Sequence, residues 1–306
     1  MPVDTERRYL VITRAGETSL HRSWLEGGER NWDLVVSWFP TSAYEPVADE
    51  EVWRQPGMKW DVFADQLREH PEVLEKYEYF VFADDDIEIT TEAINTLFET
   101  AAREKLELAQ PGLTADSYFS AIHHLRSPSF RLRYTTYVEV MFPCLSRAAL
   151  KRVLPFAVDT PTGTGLDIIW ARLEADNRYR AAIIDTIEMR HTRPVGSVIT
   201  KMLNQQGRSS EAVERAMLER FGLPRRTRHL YCYAGITASG KRVGVWGTRW
   251  RMALDALRGL PKWPVGGRWR KWQRLFLGRR TLFPLSQVHS RYEGPLRLPQ
   301  STDANP

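Results

Sequence analysis

Three consecutive carboxylates, Asp84, Asp85 and Asp86, follow directly on the apolar segment 79–83 (YFVFA). Acids this close together are costly unless a cation neutralises them. Mg²⁺ and Mn²⁺ are hard ions that prefer oxygen ligands and commonly bridge a carboxylate to a substrate diphosphate. Because side chains alternate along an extended segment, we expect Asp84 and Asp86 to share a metal while Asp85 faces a ribose or sugar hydroxyl.

Two more carboxylates stand where chemistry is expected. Glu139 falls inside the apolar segment 135–142, which we predict to be a strand, and a buried lone carboxylate is costly unless it is paired or functional. Asp167 ends the segment 160–167 (TPTGTGLD), whose two glycines permit close approach of a substrate. Asp167 also stands directly before the predicted helix 168–174. It could therefore either cap that helix or have a functional role.

A histidine completes the candidate metal ligands. His191 follows the apolar segment 182–187, which we predict to be another strand. An imidazole that leaves a parallel strand is well placed to bind a metal beside the carboxylates, although a lone histidine is more often structural. We therefore predict Asp84, Asp86 and His191 as metal ligands.

The elements that must position these residues alternate between strand and helix. This order is typical of an α/β fold, in which a mainly parallel, Rossmann-like sheet is flanked by helices. Ligands of such sheets bind beyond the carboxyl ends of the strands, where the carboxylates lie. The patterns predict strands at 9–13, 33–39 and 79–83 and helices near 21–25, at 59–77 with a break at Pro71, at 147–153 and at 168–174.

Charge divides the chain into two parts. Residues 201–306 contain 21 Lys and Arg against 6 Asp and Glu, whereas residues 1–200 contain 22 against 32. We predict a catalytic domain at 1–200 and a basic, tryptophan-rich, mostly helical extension at 201–306. A basic segment of this kind seeks polyanions such as anionic lipid, nucleic acid or an acidic glycan.

Composition excludes several classes of protein. A mean hydropathy of −0.42 and 42% hydrophobic residues are typical of a soluble globular chain. No apolar run reaches the roughly 20 residues of a membrane span, and the N-terminal sequence lacks the pattern of a signal peptide, so we expect a cytoplasmic protein. Cys144 and Cys232 have no partner at ligand spacing and are expected to be buried thiols.

The stretch 77–196 resembles the family called domain of unknown function 707, whose members resemble type A glycosyltransferases. The resemblance rests on five segments in order, YEYFVFADDDIEI, LELAQPGL with the later histidine pair, VEVMFPCLSRAALKRV, GTGLD and DTIEMRH. The family usually has Glu where this chain has Asp85. The segments GTGLD and MRHTR are also similar in kind to the glycine-rich acidic loop and the metal-binding histidine of β-1,4-galactosyltransferases.

These resemblances imply a reaction class: sugar transfer from a nucleotide-sugar donor, with a UDP-sugar favoured, to a glycan or lipid-linked acceptor in cell-surface polysaccharide synthesis. Mn²⁺ or Mg²⁺ would neutralise the donor diphosphate. Asp167, or second Glu139, would deprotonate the acceptor, and the choice of Asp167 implies inversion. The predicted nucleotide-binding residues are Thr13, Arg14, Gly16, Asp33, Lys59, Asp84 and Asp85.

Two other classes compete with a transferase. A phosphatase of the haloacid dehalogenase type also places D-x-D after an apolar strand, but its pattern has Thr or Val where this chain has Glu88. The other class is a non-catalytic protein that binds sugar or membrane. Tryptophans alternate with Lys and Arg between 246 and 280, which favours binding to the inner face of an anionic membrane over nucleic acid; a basic face with packed tryptophans is the alternative.

Overall fold

A computed structural model describes residues 7–157, 160, 162–173, 178–195, 209–222 and 231–263. Within these residues, no helix is long and apolar enough to cross a membrane. The strands are β1 (Tyr9–Ala15), β2 (Trp32–Trp38), β3 (Glu50–Arg54), β4 (Tyr79–Asp84), β5 (Ile87–Glu88), β6 (Leu108–Leu113), β7 (Phe130–Thr135), β8 (Cys144–Ser146), β9 (Ala181–His191), β10 (Cys232–Thr237) and β11 (Arg242–Gly244). The helices are α1 (Lys59–Glu69), α2 (Pro71–Lys76), α3 (Thr91–Arg103), α4 (Arg147–Ala157), α5 (Leu166–Ile169), α6 (Ser210–Arg220) and α7 (Val245–Gly259).

The strands form one sheet in the order β11-β10-β7-β9-β6-β8-β4-β1-β2-β3, and β5 pairs with the end of β9. The part of the sheet from β4 to β3 is entirely parallel, and β6 is parallel to β9. All other pairs are antiparallel. The predicted α/β class is confirmed, and the sheet is mixed, with its longest parallel run around β1 and β4.

The sheet separates two hydrophobic cores. Strand β4 shows how one sequence serves both, because Val81 and Ala83 belong to one core whereas Phe80 and Phe82 belong to the other. Side chains of a strand alternate between faces, so an uninterrupted apolar segment buries both. Helices α3 and α7 contribute to the first core, and α1, α4, α5 and α6 to the second. The carboxyl end of β4 is therefore held rigidly between two helical layers.

Several predicted elements differ from the observed ones. The segment 135–142 is not a strand, because β7 ends at Thr135 and the following residues leave the sheet. Helix α4 does not end before Pro155 but continues to Ala157. The helix expected at 168–174 begins earlier, at Leu166, and continues into a 3₁₀ turn at Trp170–Arg172. The element near 21–25 is a 3₁₀ turn.

The basic extension contributes directly to the sheet. Strand β10 pairs with β7, so strands from both sides of the predicted boundary at 200/201 share one sheet. Within the described residues of the extension, two strands accompany the helices α6 and α7. Helix α6 packs on the body through Met217, and its cap is Ser209, whose hydroxyl accepts a hydrogen bond from Ala212 N. Of the tryptophans, Trp269 and Trp272 lie outside the described residues.

The glycine-rich loop before α5 permits close packing of protein side chains. A Cβ on Gly163 would overlap Trp60 Nε1, and one on Gly165 would lie 2.9 Å from Met217 Cβ. Both glycines have positive φ, at 76° and 100°. The expectation that these glycines admit a substrate is therefore corrected: in the structure, the space beside them is filled by Trp60 and Met217.

We expect Gly163→Ala to lower the free energy of unfolding by about 3 kcal/mol, because backbone strain adds to a steric clash. Gly240→Ala is the matched control. Gly240 has φ of 85°, and outside its immediate chain neighbours no heavy atom lies within 4 Å of the place that its added methyl group would take, so only the strain of about 1 kcal/mol applies. Chemical denaturation measures both variants. Equal losses would show that Trp60 moves away at no cost.

Candidate metal centre

Three side chains converge at the carboxyl end of β4. One ligand atom each from Asp84, Asp86 and His191 lies within 4.8 Å of the others. Asp84 ends β4, whereas His191 ends β9, and the short β5 joins the two places because Ile87 pairs with His191. The structure thus brings together the three residues that the sequence predicts as metal ligands.

The imidazole of His191 is oriented by the backbone. Its Nδ1 donates to Tyr118 O at 2.9 Å, so Nε2 faces Asp86 Oδ2 at 3.2 Å. The backbone N–H of His191 donates to Ser117 Oγ, which fixes the strand end as well. Burial opposes protonation, but the hydrogen bond and charge of Asp86 raise the pKa of His191 to about 9.

The donor set fits a divalent ion. Two carboxylates and one imidazole suit Mn²⁺, and carboxylates alone suit Mg²⁺. Asp86 Oδ1 is buried and has no hydrogen-bond partner among the described residues. An unpaired buried carboxylate oxygen is costly, and a bound cation removes that cost. A metal-binding histidine usually donates a hydrogen bond from its second ring nitrogen to a carbonyl or carboxylate. His191 does so through Nδ1, which donates to Tyr118 O.

Lys59 holds Asp84 rather than reaching into a ligand site. Its ammonium donates to Asp84 Oδ1 at 2.7 Å, to Val140 O at 2.7 Å and to Phe82 O at 3.1 Å. These three bonds use all three N–H groups of an ammonium. Lys59 therefore has no N–H left for a phosphate in this arrangement, which corrects the predicted role. It is instead an internal cation beside the acidic cluster.

We expect Lys59→Met to destabilise the protein in chelator by about 3 kcal/mol, because Asp84 loses its counter-ion beside Asp86. Mn²⁺ should then raise the melting temperature of the variant more than that of the wild type. Thermal denaturation with EDTA and with Mn²⁺ measures both effects. Lys241→Met is the control, since Lys241 is exposed and its described bonds involve only its backbone. A stability loss that Mn²⁺ leaves unchanged would contradict this role.

Asp85 makes a separate set of contacts. Its Oδ2 accepts from Gly16 N at 3.2 Å, and its Oδ1 accepts from Arg193 Nη1 at 2.9 Å. Arg193 also donates to Thr18 O at 2.7 Å. Asp85 thus joins the loop after β1 to the loop after β9, and Gly16 takes part through its backbone. The side chain is bound to protein groups and not to the cluster of metal ligands.

Glu139 is buried beside a histidine. His124 Nδ1 lies 2.9 Å from Glu139 Oε2, and the two side chains are almost completely buried. Gln110 Oε1 accepts from Glu139 N at 2.7 Å. Burial alone would raise the pKa of Glu139, but the hydrogen bond and charge of His124 lower it. Glu139 is therefore buried beside a possible partner, as the cost of a lone buried carboxylate requires, but it lies in a loop and not in the predicted strand.

Asp167 differs from Glu139 in exposure and in protonation. It is partly exposed, while Tyr137 Oη donates to its Oδ2 at 2.8 Å and Gly165 N donates to its Oδ1 at 3.0 Å. The cap of α5 is Gly165, so Asp167 is not the cap residue. Burial raises the pKa of Asp167 to about 7, and the charge of Glu139 adds to this shift. A carboxyl of this kind changes protonation near neutral pH.

Comparison with known proteins adds little to this geometry. No family model matches the chain, and no curated protein matches it, so the resemblance to domain of unknown function 707 gains no support. Among solved structures, the chain is similar to GalNAc-T7 with UDP, GalNAc and Mn²⁺, at 8% identity and a TM-score of 0.44. The match covers 61% of this chain and 43% of that one, which is less than half of its length. The likeness is too distant to transfer a ligand.

Two predicted nucleotide-binding residues near the centre serve the fold. Thr13 is fully buried in β1. Arg14 donates to Ser37 Oγ at 2.9 Å and to the carbonyls of Gln55 and Gly57 at 2.7 and 3.0 Å. Arg14 therefore holds the connection between β3 and α1, and its described hydrogen bonds all go to protein groups.

The structure does not bring Asp33 to the centre. Asp33 pairs with Leu10 near the beginning of β1, whereas Asp84 pairs with Arg14, four residues further along that strand. At the rise of a β-strand, this separates the two by roughly 13 Å. Asp33 is instead bonded by Lys76 and by Tyr77 Oη. Its role is corrected accordingly to an ion pair with Lys76 at the opposite, amino-terminal end of the strands.

A buried ion pair that the sequence did not predict supports the loop that carries His123 and His124. Arg133 and Asp185 are fully buried and joined by two hydrogen bonds of 2.8 Å. Arg133 also donates to His123 O and Leu125 O, on either side of His124. The loop is thereby fixed against β7 and β9. In the sequence, the only signal of this pair was Asp185, which directly follows the apolar run 181–184, because Arg133 stands in a segment that also contains Arg131.

Proposed function

We propose that this protein is a metal-dependent glycosyltransferase of the type A fold, which moves a sugar from a nucleotide-sugar donor to a hydroxyl group of a glycan or lipid-linked acceptor. The observation that carries the proposal is the convergence of Asp84, Asp86 and His191 at the carboxyl end of a central parallel strand. Ligands of α/β sheets bind at this end. A UDP-sugar is the favoured donor.

The residues around the centre have distinct proposed roles. Asp84, Asp86 and His191 would hold Mn²⁺ or Mg²⁺, and the bound ion would neutralise the leaving diphosphate. Lys59 keeps Asp84 in position and offsets part of the negative charge. Asp85 and Arg193 fix the loop after β1 against the centre, beside the space where the donor would lie.

Asp167 is the proposed general base. Its partial exposure lets an acceptor reach it, and a pKa of about 7 suits proton transfer at neutral pH. The carboxylate would take the proton from the acceptor hydroxyl as the oxygen bonds to the anomeric carbon and the bond to the diphosphate breaks. This displacement inverts the anomeric centre. Glu139 is the weaker candidate, because it is buried and its Oε2 lies 2.9 Å from His124 Nδ1.

Nucleotide-sugar turnover tests the proposal. Purified protein is incubated with a panel of nucleotide sugars and Mn²⁺, and release of nucleoside diphosphate is measured with EDTA as the blank. Slow, metal-dependent release of diphosphate supports a transferase. Release of inorganic phosphate from phosphomonoesters would instead indicate a phosphatase. A thermal-shift screen of the same panel identifies the donor, because a ligand of the folded state raises the melting temperature.

A further inference from the structure

Helix α7 has two apolar faces. One packs on the sheet through buried residues such as Met252, Ala253 and Ala256. The opposite face carries four large apolar side chains at spacings of four, four and three residues, which places them in one stripe along the helix. This stripe consists of Trp246, Trp250, Leu254 and Leu257, whose exposed fractions are 46%, 60%, 51% and 41%.

The surroundings of the stripe are basic. Residues 241–263 contain six Lys and Arg and a single acid, Asp255. That acid is buried, and it accepts hydrogen bonds from Ser127 Oγ, Ser129 N and Arg258 Nη1. Arg251 and Arg258 are exposed beside the stripe. Within the described part of this segment, the exposed face therefore presents apolar groups and positive charge without a carboxylate.

We propose that this stripe docks the protein on an anionic lipid membrane. Tryptophan suits the depth of lipid headgroups, leucine enters the acyl boundary, and arginine pairs with lipid phosphate. An acidic glycan offers charge but no partner for Leu254 and Leu257.

Trp263 does not belong to the proposed docking surface. Trp263 is fully buried and packs edge-on against Phe119, so it is part of the core. Of the tryptophans predicted to be interfacial, only Trp246 and Trp250 lie exposed among the described residues. The surface is therefore a helix face on the folded body and does not require the metal centre.

Vesicle cosedimentation of the full chain tests this surface. The probes are vesicles of phosphatidylglycerol with phosphatidylcholine and vesicles of phosphatidylcholine alone, without metal or nucleotide. We expect binding to the anionic vesicles only, with release in high salt. The double variant Trp250→Ser with Leu254→Ser should lower the partition coefficient at least roughly tenfold. Arg251→Glu should lower it roughly tenfold as well, because one positive charge is replaced by a negative one.

Matched controls lie at the other edge of the sheet. Val47→Ser and Arg54→Glu change an exposed apolar side chain and an exposed arginine beside β3, and both should bind vesicles like the wild type. Equal binding to both vesicle types, or unchanged binding of the stripe variant, would overturn the proposal. A stripe variant that melts well below the wild type and binds vesicles normally would show that the chain itself covers the stripe.

Discussion

Asp86→Asn should abolish metal-dependent nucleotide binding while the protein remains folded. The variant keeps the shape of the side chain but removes the charge and one oxygen ligand. Residues that merely support a metal ligand contribute ten- to a hundredfold to affinity, so we expect the loss of a ligand to weaken Mn²⁺ binding by more than roughly a hundredfold. The backbone carbonyl of Asp86, which accepts hydrogen bonds from Thr192, is unchanged.

Calorimetric titration with Mn²⁺, with and without nucleotide, measures this effect. Asp65→Asn is the matched control, because Asp65 is a half-buried acid paired with Arg68 and takes no part in the centre. Circular dichroism checks the fold of both variants. Unchanged metal-dependent binding in Asp86→Asn would place the metal elsewhere.

Asp167→Asn should retain donor binding but lose turnover by roughly a hundredfold or more, the usual scale for a general base. The wild-type rate should rise with pH through about 7, because the carboxyl must lose its proton to act. The Asn variant should lack this rise. Steady-state kinetics from pH 5.5 to about 8.5 would measure both. Unchanged turnover would indicate that Glu139 is the base, or that the mechanism needs no general base.

Stability provides an independent check on Asp167. Burial raises its pKa from 3.8 to about 7 in the folded protein. Protonation therefore favours the folded state, and this contribution is present below pH 3.8 and is lost as the pH rises through about 7. We expect stability in Asp167→Asn to depend less on pH across this interval. Denaturation at several pH values would show an unchanged dependence if the pKa of this carboxyl is not raised in the folded protein.

The sequence predicted the elements whose pattern is local. Strands β1, β2 and β4 are built around short runs of apolar residues, and such runs form strands buried on both faces. The segment 135–142 has the same composition, yet it leaves the sheet after Thr135. Its backbone finds partners elsewhere: Glu139 N donates to the side chain of Gln110, and Val140 O accepts from Lys59. The backbone of this segment is thus hydrogen-bonded by side chains distant in sequence instead of by a neighbouring strand. The periodicity of the sequence cannot reveal such partners.

The candidate site shows the same limit. Asp84 and Asp86 are close together in sequence, so their pattern is visible, and His191 was found because it follows a strand. The sequence placed Lys59 correctly near the carboxyl ends of the strands, but the predicted partner was a phosphate and the observed partner is Asp84. The sequence could not show this, because the distance from Lys59 to Asp84 depends on how α1 packs. The support of His191 by Tyr118 had no sequence signal, because a backbone carbonyl serves as the acceptor.

The two-residue strand β5 has a consequence for the lifetime of the folded protein. It joins the carboxylate end of β4 to His191, so a bound ion would close a loop of more than a hundred residues. Contacts between such distant parts of a chain tend to form late in folding. Stabilisation gained after the folding barrier slows unfolding without speeding folding. Metal loading would therefore act chiefly on the rate at which the native chain opens, and protease resistance would report the occupancy of the centre.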